Sequence, residues 1–121
     1  MDKKKIKDIE LVNLRLDQII RHIDIIENDI GDMSLEQFRE NDLLARATCF
    51  SIVQIGEQMV KIEKMFGEDY PNFPWQQARD MRNLLVHVYH KTNFEIVYDT
   101  AINNLPPLKE NILQIKEDVN K

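Results

Sequence analysis

Ile9, Val12, Leu16, Ile19, Ile23, Ile26 and Ile30 fall alternately three and four residues apart. Side chains at that spacing line one face of an α-helix, in a heptad-like stripe. No Pro or Gly interrupts the run before Gly31. A rod of this kind must bury its stripe against other elements, and a chain that opens this way is expected to pack helix on helix. Leu14, Ile20 and Ile25 fall outside the stripe, which predicts a buried face wider than a two-stranded seam. Gly31–Asp32 is the expected stop.

The rest of the chain continues in the same key. Ser34 followed by Gln37 spells a capping box, in which each residue's side chain satisfies the other's backbone N–H. The segment from Glu40 to Phe66 reads as a second long helix with Ile52, Ile55, Met59, Ile62 and Phe66 inward. Gly56 lies in its middle, where Gly costs about 1 kcal/mol against Ala; close approach of a neighbouring helix would explain it. "GEDYPNFPW" is a loop, with Gly67 as a helix stop and Pro74 in the first turn of the next helix. This third helix is expected from about Trp75 to Tyr89. A fourth lies over "KTNFEIVYDTAINN", with Phe94, Val97, Ala101 and Ile102 inward. A fifth starts at the pair Pro106–Pro107 with Leu108, Ile112, Leu113 and Ile115 apolar, although the prolines allow either a bend or a new helix. The prediction is an all-α, up-and-down bundle of four to five helices, in one domain over residues 1–121.

Composition bounds the function classes. A hydrophobic content of 43% in 121 residues fits a single core. The formal charge of −5 argues against a protein that coats DNA through a basic surface. The single Cys49 cannot form an internal disulfide and reads as a small core residue in a reduced, cytosolic setting. The start, "MDKKKIKDIELVN", lacks the apolar core of a signal peptide, and no apolar run approaches the roughly 20 residues of a membrane span. A cytoplasmic protein is expected.

One stretch does not fit a plain bundle. "RNLLVHVYH", Arg82 to His90, mixes five polar side chains with Leu84, Leu85, Val86 and Val88. On an ideal wheel Trp75, Ala78, Met81, Leu84, Leu85, Val86 and Val88 fill one arc, and Arg79, Asn83, His87 and His90 form a polar stripe. Arg82 and Tyr89 fall inside the apolar arc. A buried arginine is costly unless paired, so Arg82 is expected to meet a carboxylate such as Glu57 or Glu63, a second copy of the chain, or an anionic ligand. Arg82 and His87 are separated by about 140° on an ideal helix. They can meet at an edge, or in a groove that a second protomer helps to wall. A histidine moves protons near neutrality, and an arginine clamps phosphate oxygens. Together they suit cleavage of a phosphodiester in RNA. His87 would take the 2′-hydroxyl proton or give one to the leaving oxygen, and Arg82 would stabilise the charge building on phosphorus. No metal or other cofactor is called for. His87 and His90 are three apart, a possible metal pair, but no convincing ligand set accompanies them.

Arg82-Asn83-Leu84-Leu85-Val86-His87-Val88-Tyr89 resembles the Arg-x-x-x-x-His-x-Tyr signature of HEPN domains, in the HepT toxin branch. "PWQQARDMRNLLVHVYH" resembles that family's motif helix, "FEIVYDTAINNLPPLKENI" the helix after it, and "SIVQIGEQMVKI" its second-helix Ile-Gly-Glu segment. The resemblance spans nearly the whole chain. It implies a helical-bundle homodimer whose motif helices face a shared cleft. It implies a metal-independent ribonuclease with Arg82 and His87 catalytic and Asn83 supporting them. It also implies the toxin of a type VII toxin–antitoxin pair, silenced by an MntA-like nucleotidyltransferase antitoxin that transfers AMP to Tyr89. Tyr98 and Tyr70 are the other candidate acceptors. A competing reading is a non-enzymatic nucleotide-binding partner of a nucleotidyltransferase, with Arg82 holding a phosphate and His87 orienting it. A third is a purely structural bundle in which Arg82 pairs with Glu57. Arg79, Arg82, Lys91 and the two histidines could supply a local positive field on the acidic body.

Overall fold

The computed structural model describes the backbone over residues 3–84 and 93–121. Those residues form an all-α bundle with no strand among them. Its helices are α1 (Lys3–Ile30), α2 (Leu35–Glu40), α3 (Asp42–Phe66), α4 (Trp75–Arg82), α5 (Phe94–Asp99) and α6 (Leu105–Val119). Among the described residues no helix is long and apolar enough to cross a membrane.

The stripe on α1 is buried from Val12 to Ile30 and packs against α3 and α6. Each such aliphatic side chain contributes about 1.5–3 kcal/mol by leaving water. The expected wider face is not formed. Leu14 is 55% exposed and Ile25 40% exposed, with Ile20 half-buried against the core. On α3, Ile52, Ile55, Met59 and Ile62 are buried as the spacing predicts, and Phe66 is half-buried at the rim. Cys49 is buried, and that burial pushes its thiol pKa up, as suits an inert core residue.

Turn chemistry sets the boundaries. Gly31 takes φ +51°, the left-handed region that ends α1 without a Cβ penalty. The capping box forms: Gln37 N–H donates to Ser34 Oγ at 3.2 Å, and Ser34 N–H to Gln37 Oε1 at 2.9 Å. Asn41 then leaves helical geometry, and its side-chain oxygen accepts from Leu44 N–H at 3.1 Å, so α2 and α3 are separate helices. At the end of α3, Gly67 keeps φ −58° and leads into a 3-10 turn, Gly67–Asp69, rather than a left-handed stop. Phe38 on α2 is fully buried against Phe94 and Tyr98, with ring centroids 6.4 and 5.4 Å away. It ties α2 to α5.

The proline pair produces neither a sharp bend nor a clean restart. Between α5 and α6 the chain makes a π-helical turn, Thr100–Asn104, with helical backbone angles on both sides. Pro106 and Pro107 cannot donate to the carbonyls four residues back, and their rings would crowd them. The wider turn relieves that crowding, and Leu105 N–H bonds to Thr100 O, five residues earlier. Phe94, Val97, Ala101, Leu108, Ile112 and Ile115 are buried as expected, whereas Ile102 and Leu113 face outward.

Candidate functional site

Gly56 decides where α4 lies. A Cβ built at this position would clash with Arg82 N and would sit 2.8 Å from Ala78 O and 2.9 Å from Arg82 Cα. No side chain fits there, and the backbones of α3 and α4 touch directly. The close approach expected from a mid-helix glycine is therefore real. Its partner is the arginine-bearing helix, at the arginine itself. Trp75, Ala78 and Met81 bury the inner face of α4. Trp75 Nε1 donates to Tyr70 O at 2.9 Å and its ring lies 4.5 Å from that of Phe73, fixing the start of the helix just after Pro74.

The motif helix is not continuous from Trp75 to Tyr89 as an ideal wheel requires. α4 ends at Arg82, and Asn83 is a turn residue with φ −90° and ψ 2°. This sparsely populated bridge conformation recurs at active sites. Asn83 N–H is shared between Arg79 O and Asp80 O, both at 3.2 Å. Leu84 is helical again and buried. His87, Tyr89, His90 and Lys91 lie outside the described residues, as do Leu85, Val86 and Val88. Arg82 ends α4, and Asn83 forms the turn that follows it.

Arg82 is half-buried. Neither expected carboxylate partner takes it. Glu63 is held by Arg79, whose Nη1 lies 2.7 and 2.5 Å from the two carboxylate oxygens. Glu57 makes no ion pair with Arg82. The same arrangement weakens the expected local field, since Arg79 is already compensated by Glu63.

Beside Asn83 opens a cleft of about 560 Å³. Gln77, Asp80 and Asn83 form one wall, and Ile96, Thr100 and Asn104 the other, with Met81 and Leu84 also lining it. The cleft is not legible in the sequence: its polar residues look like ordinary surface, and its two walls come from separate helices. Among the other tyrosines, Tyr98 Oη donates to Met33 O at 2.7 Å and is committed to the fold. The Tyr70 phenol is pushed up by burial and by Asp118 and Asp69, which disfavours its ionised form. Among the described residues no group of three His, Cys, Asp or Glu side chains converges as metal ligands would.

The comparisons with known proteins point one way. The family model described as ribonuclease HepT-like matches residues 19–115. A protein of Methanocaldococcus jannaschii provisionally named as an RNase is 32% identical over 101 residues, covering 84% of this chain and 87% of the relative. Another so named, from Caldanaerobacter subterraneus, is 28% identical over 100 residues, covering 83% and 89%. A Thermococcus cleftensis protein named "Probable ribonuclease HepT" is 28% identical over 98 residues, covering 78% and 86%. No solved structure matches. With most of its length matched by the family model, and with the motif's arginine ending the helix that Gly56 positions and its asparagine in the turn that follows, the chain belongs to the HepT-like ribonuclease family.

Proposed function

We propose that this protein is a metal-independent endoribonuclease acting as a homodimer, with Arg82 and His87 as its catalytic pair and Asn83 supporting them. The observation that carries this is the state of Arg82. Its backbone is pinned against Gly56, and no described carboxylate neutralises it. A half-buried guanidinium held in this way keeps its charge and its fork of donors for an anion. In the reaction the 2′-hydroxyl oxygen attacks the neighbouring phosphorus and loses its proton. The bond from phosphorus to the 5′ oxygen breaks and that oxygen gains a proton. The products are a 2′,3′-cyclic phosphate and a 5′-hydroxyl. His87 handles one of the two protons, and Arg82 stabilises the charge on the phosphoryl oxygens.

The same reading makes the chain the toxin of a type VII pair. An MntA-like nucleotidyltransferase antitoxin would silence it by moving AMP from ATP to the Tyr89 oxygen, with diphosphate leaving. The commitment of Tyr98 to Met33 O favours Tyr89 over that alternative. Tyr89 follows Arg82 by seven residues, and a bulky anion on it would compete with RNA for the guanidinium.

One experiment tests the whole. Homodimeric wild type, Arg82→Ala and His87→Ala are incubated with cellular RNA in chelator, before and after treatment with antitoxin and ATP. Wild type should leave cyclic phosphate ends. His87→Ala should lose about 10²–10⁴-fold in rate, and Arg82→Ala about 10²–10³-fold. Treatment should add the mass of AMP at Tyr89 and stop cutting. Equal cutting by all three proteins would remove the catalytic pair. Selective nucleotide binding without any cutting would favour the non-enzymatic partner.

A further inference from the structure

From the cleft beside Asn83 we infer that the protein reads a guanine base of its RNA, with Asp80 as the selecting residue. The inference rests on the proposed RNA cleavage at Arg82 and His87, and it adds a specificity site distinct from them. Three features point to a base rather than to the sugar–phosphate backbone.

The first is the composition of the walls. Met81, Leu84 and Ile96 supply apolar surface, while Gln77, Asn83 and Asn104 present carboxamides. None of these three carboxamides has a side-chain hydrogen bond among the described residues. An amide offers a donor and an acceptor side by side, the pattern that matches the edge of a base. The volume of about 560 Å³ suits a ligand of nucleotide size.

The second is the carboxylate. Gln76 Nε2 donates to one Asp80 oxygen at 3.0 Å and steadies the group at the wall. A carboxylate repels phosphate, so within an RNA site it must face hydrogen-bond donors. Guanine alone among the four bases carries two adjacent donors on its pairing edge, N1–H and N2–H. In adenine and cytosine the amino group stands next to an acceptor nitrogen, and in uracil a lone N–H stands between two carbonyls. Guanine also carries O6, which a carboxamide N–H can meet.

The third is the backbone. Both walls are irregular where they face the cleft. Asn83 breaks α4 in the bridge conformation, and Thr100–Asn104 is a π-helical turn. Such turns concentrate at functional sites. Asn83 lines the cleft and is the sequence neighbour of Arg82.

The test has two arms, both on the full chain. In the first, a mixed-sequence single-stranded RNA is cut by wild type, Asp80→Asn and Asn104→Ala, and the fragment ends are sequenced. Wild-type cuts should share a guanine at one fixed position. Asp80→Asn, which replaces an acceptor with a donor, should lower the ratio of guanine to non-guanine cuts at least tenfold, about the discrimination of a bidentate base contact. In the second arm, GMP, AMP, CMP and UMP are titrated against each protein by NMR. GMP should bind wild type best and lose that advantage in Asp80→Asn. Cutting with no base preference, or preference for another base, overturns the inference and leaves the catalytic pair standing. Absence of cutting with GMP-selective binding overturns the catalytic pair and keeps the subsite. Equal binding of all four nucleotides, with no cutting, ends both.

Discussion

The seam between α1 and α3 and the corner where α4 faces the α5–α6 arm across the cleft follow opposite rules. The seam is regular. Two long helices of uninterrupted α geometry bring aliphatic stripes together, and the buried positions repeat at three and four. The corner is irregular. It holds an eight-residue helix, a turn residue at Asn83, a π-helical turn, and a cleft lined with amides. Stability comes from the repetitive part, where every side chain supports its neighbours. Chemistry needs polar groups aimed at one place, which repetition does not provide. The two regions meet at Gly56, a residue of the regular helix whose missing side chain admits the irregular one.

Breaking that junction should have the largest effect. Gly56→Ala would gain about 1 kcal/mol from helix propensity alone. Its Cβ would clash with the backbone nitrogen of Arg82 and lie 2.8 Å from the backbone oxygen of Ala78, neither of which can swing aside as a side-chain tip can. Overpacking of this kind costs about 1–3 kcal/mol and at times more, and contact with two backbone atoms belongs at the top of that range. A net loss of about 2 kcal/mol in urea denaturation is expected, the top of that range less the propensity gain. A variant more stable than wild type would mean that the helices do not touch there, and the comparison would lose its hinge.

The regular region is legible in the sequence and the corner only partly so, for reasons that individual residues make plain. Stripe positions such as Leu16 and Ile52 announce themselves because burial imposes a period. Leu14 and Ile25 mislead because a single apolar residue on a helix surface is common and carries no period. The capping box at Ser34 and Gln37 is readable because its two bonds are local in sequence. The turn at Asn83 is not. Nothing at that position contradicts a helix, and the interruption depends on how α4 is held against α3. The proline pair leaves two outcomes open, and the π-helical turn is a third that periodicity cannot express. Arg82 stands out from its neighbours in the motif, yet its relation to Gly56 joins residues far apart in sequence. Glu63 suits Arg82 by residue type and is held by Arg79 one turn earlier, a difference of side-chain reach rather than of chemistry.

A second, smaller effect tests how firmly the corner is tied to the seam. Arg79 and Glu63 bridge α4 to α3 with both partners partly exposed, at 38% and 26%. A pair so placed contributes about 1 kcal/mol or less. A double-mutant cycle with Arg79→Ala and Glu63→Ala should show that coupling in dilute buffer and a weaker one at about 1 M salt. A coupling near zero would leave the Gly56 contact and the buried face of α4 as the chief restraints on the corner. A value above about 2 kcal/mol, outside the surface range, would make the ion pair a principal anchor.

The smallest effect comes from a polar side chain set into the regular half. His22 on α1 is half-buried, and its Nδ1 is buried without a hydrogen-bond partner among the described residues. Burial first, and the Arg21 charge second, lower its pKa below the ordinary 6.5. Between the lowered folded value and 6.5 the unfolded chain binds more protons than the folded one, so folding stability rises with pH across that window. Stability should therefore be intact above pH 6.5, fall as the pH drops below it, and level off under the folded value. Leucine at this position has nothing to protonate, so His22→Leu should flatten that part of the profile. The ion pairs Lys109–Asp24 and Lys116–Asp17 are present in both proteins. Urea midpoints measured between about pH 7.5 and 5.5, a window that brackets the ordinary histidine value, separate the two cases. If wild type and His22→Leu follow parallel curves, the acid sensitivity originates outside the seam, and the regular half is even less marked by polar groups than the comparison allows.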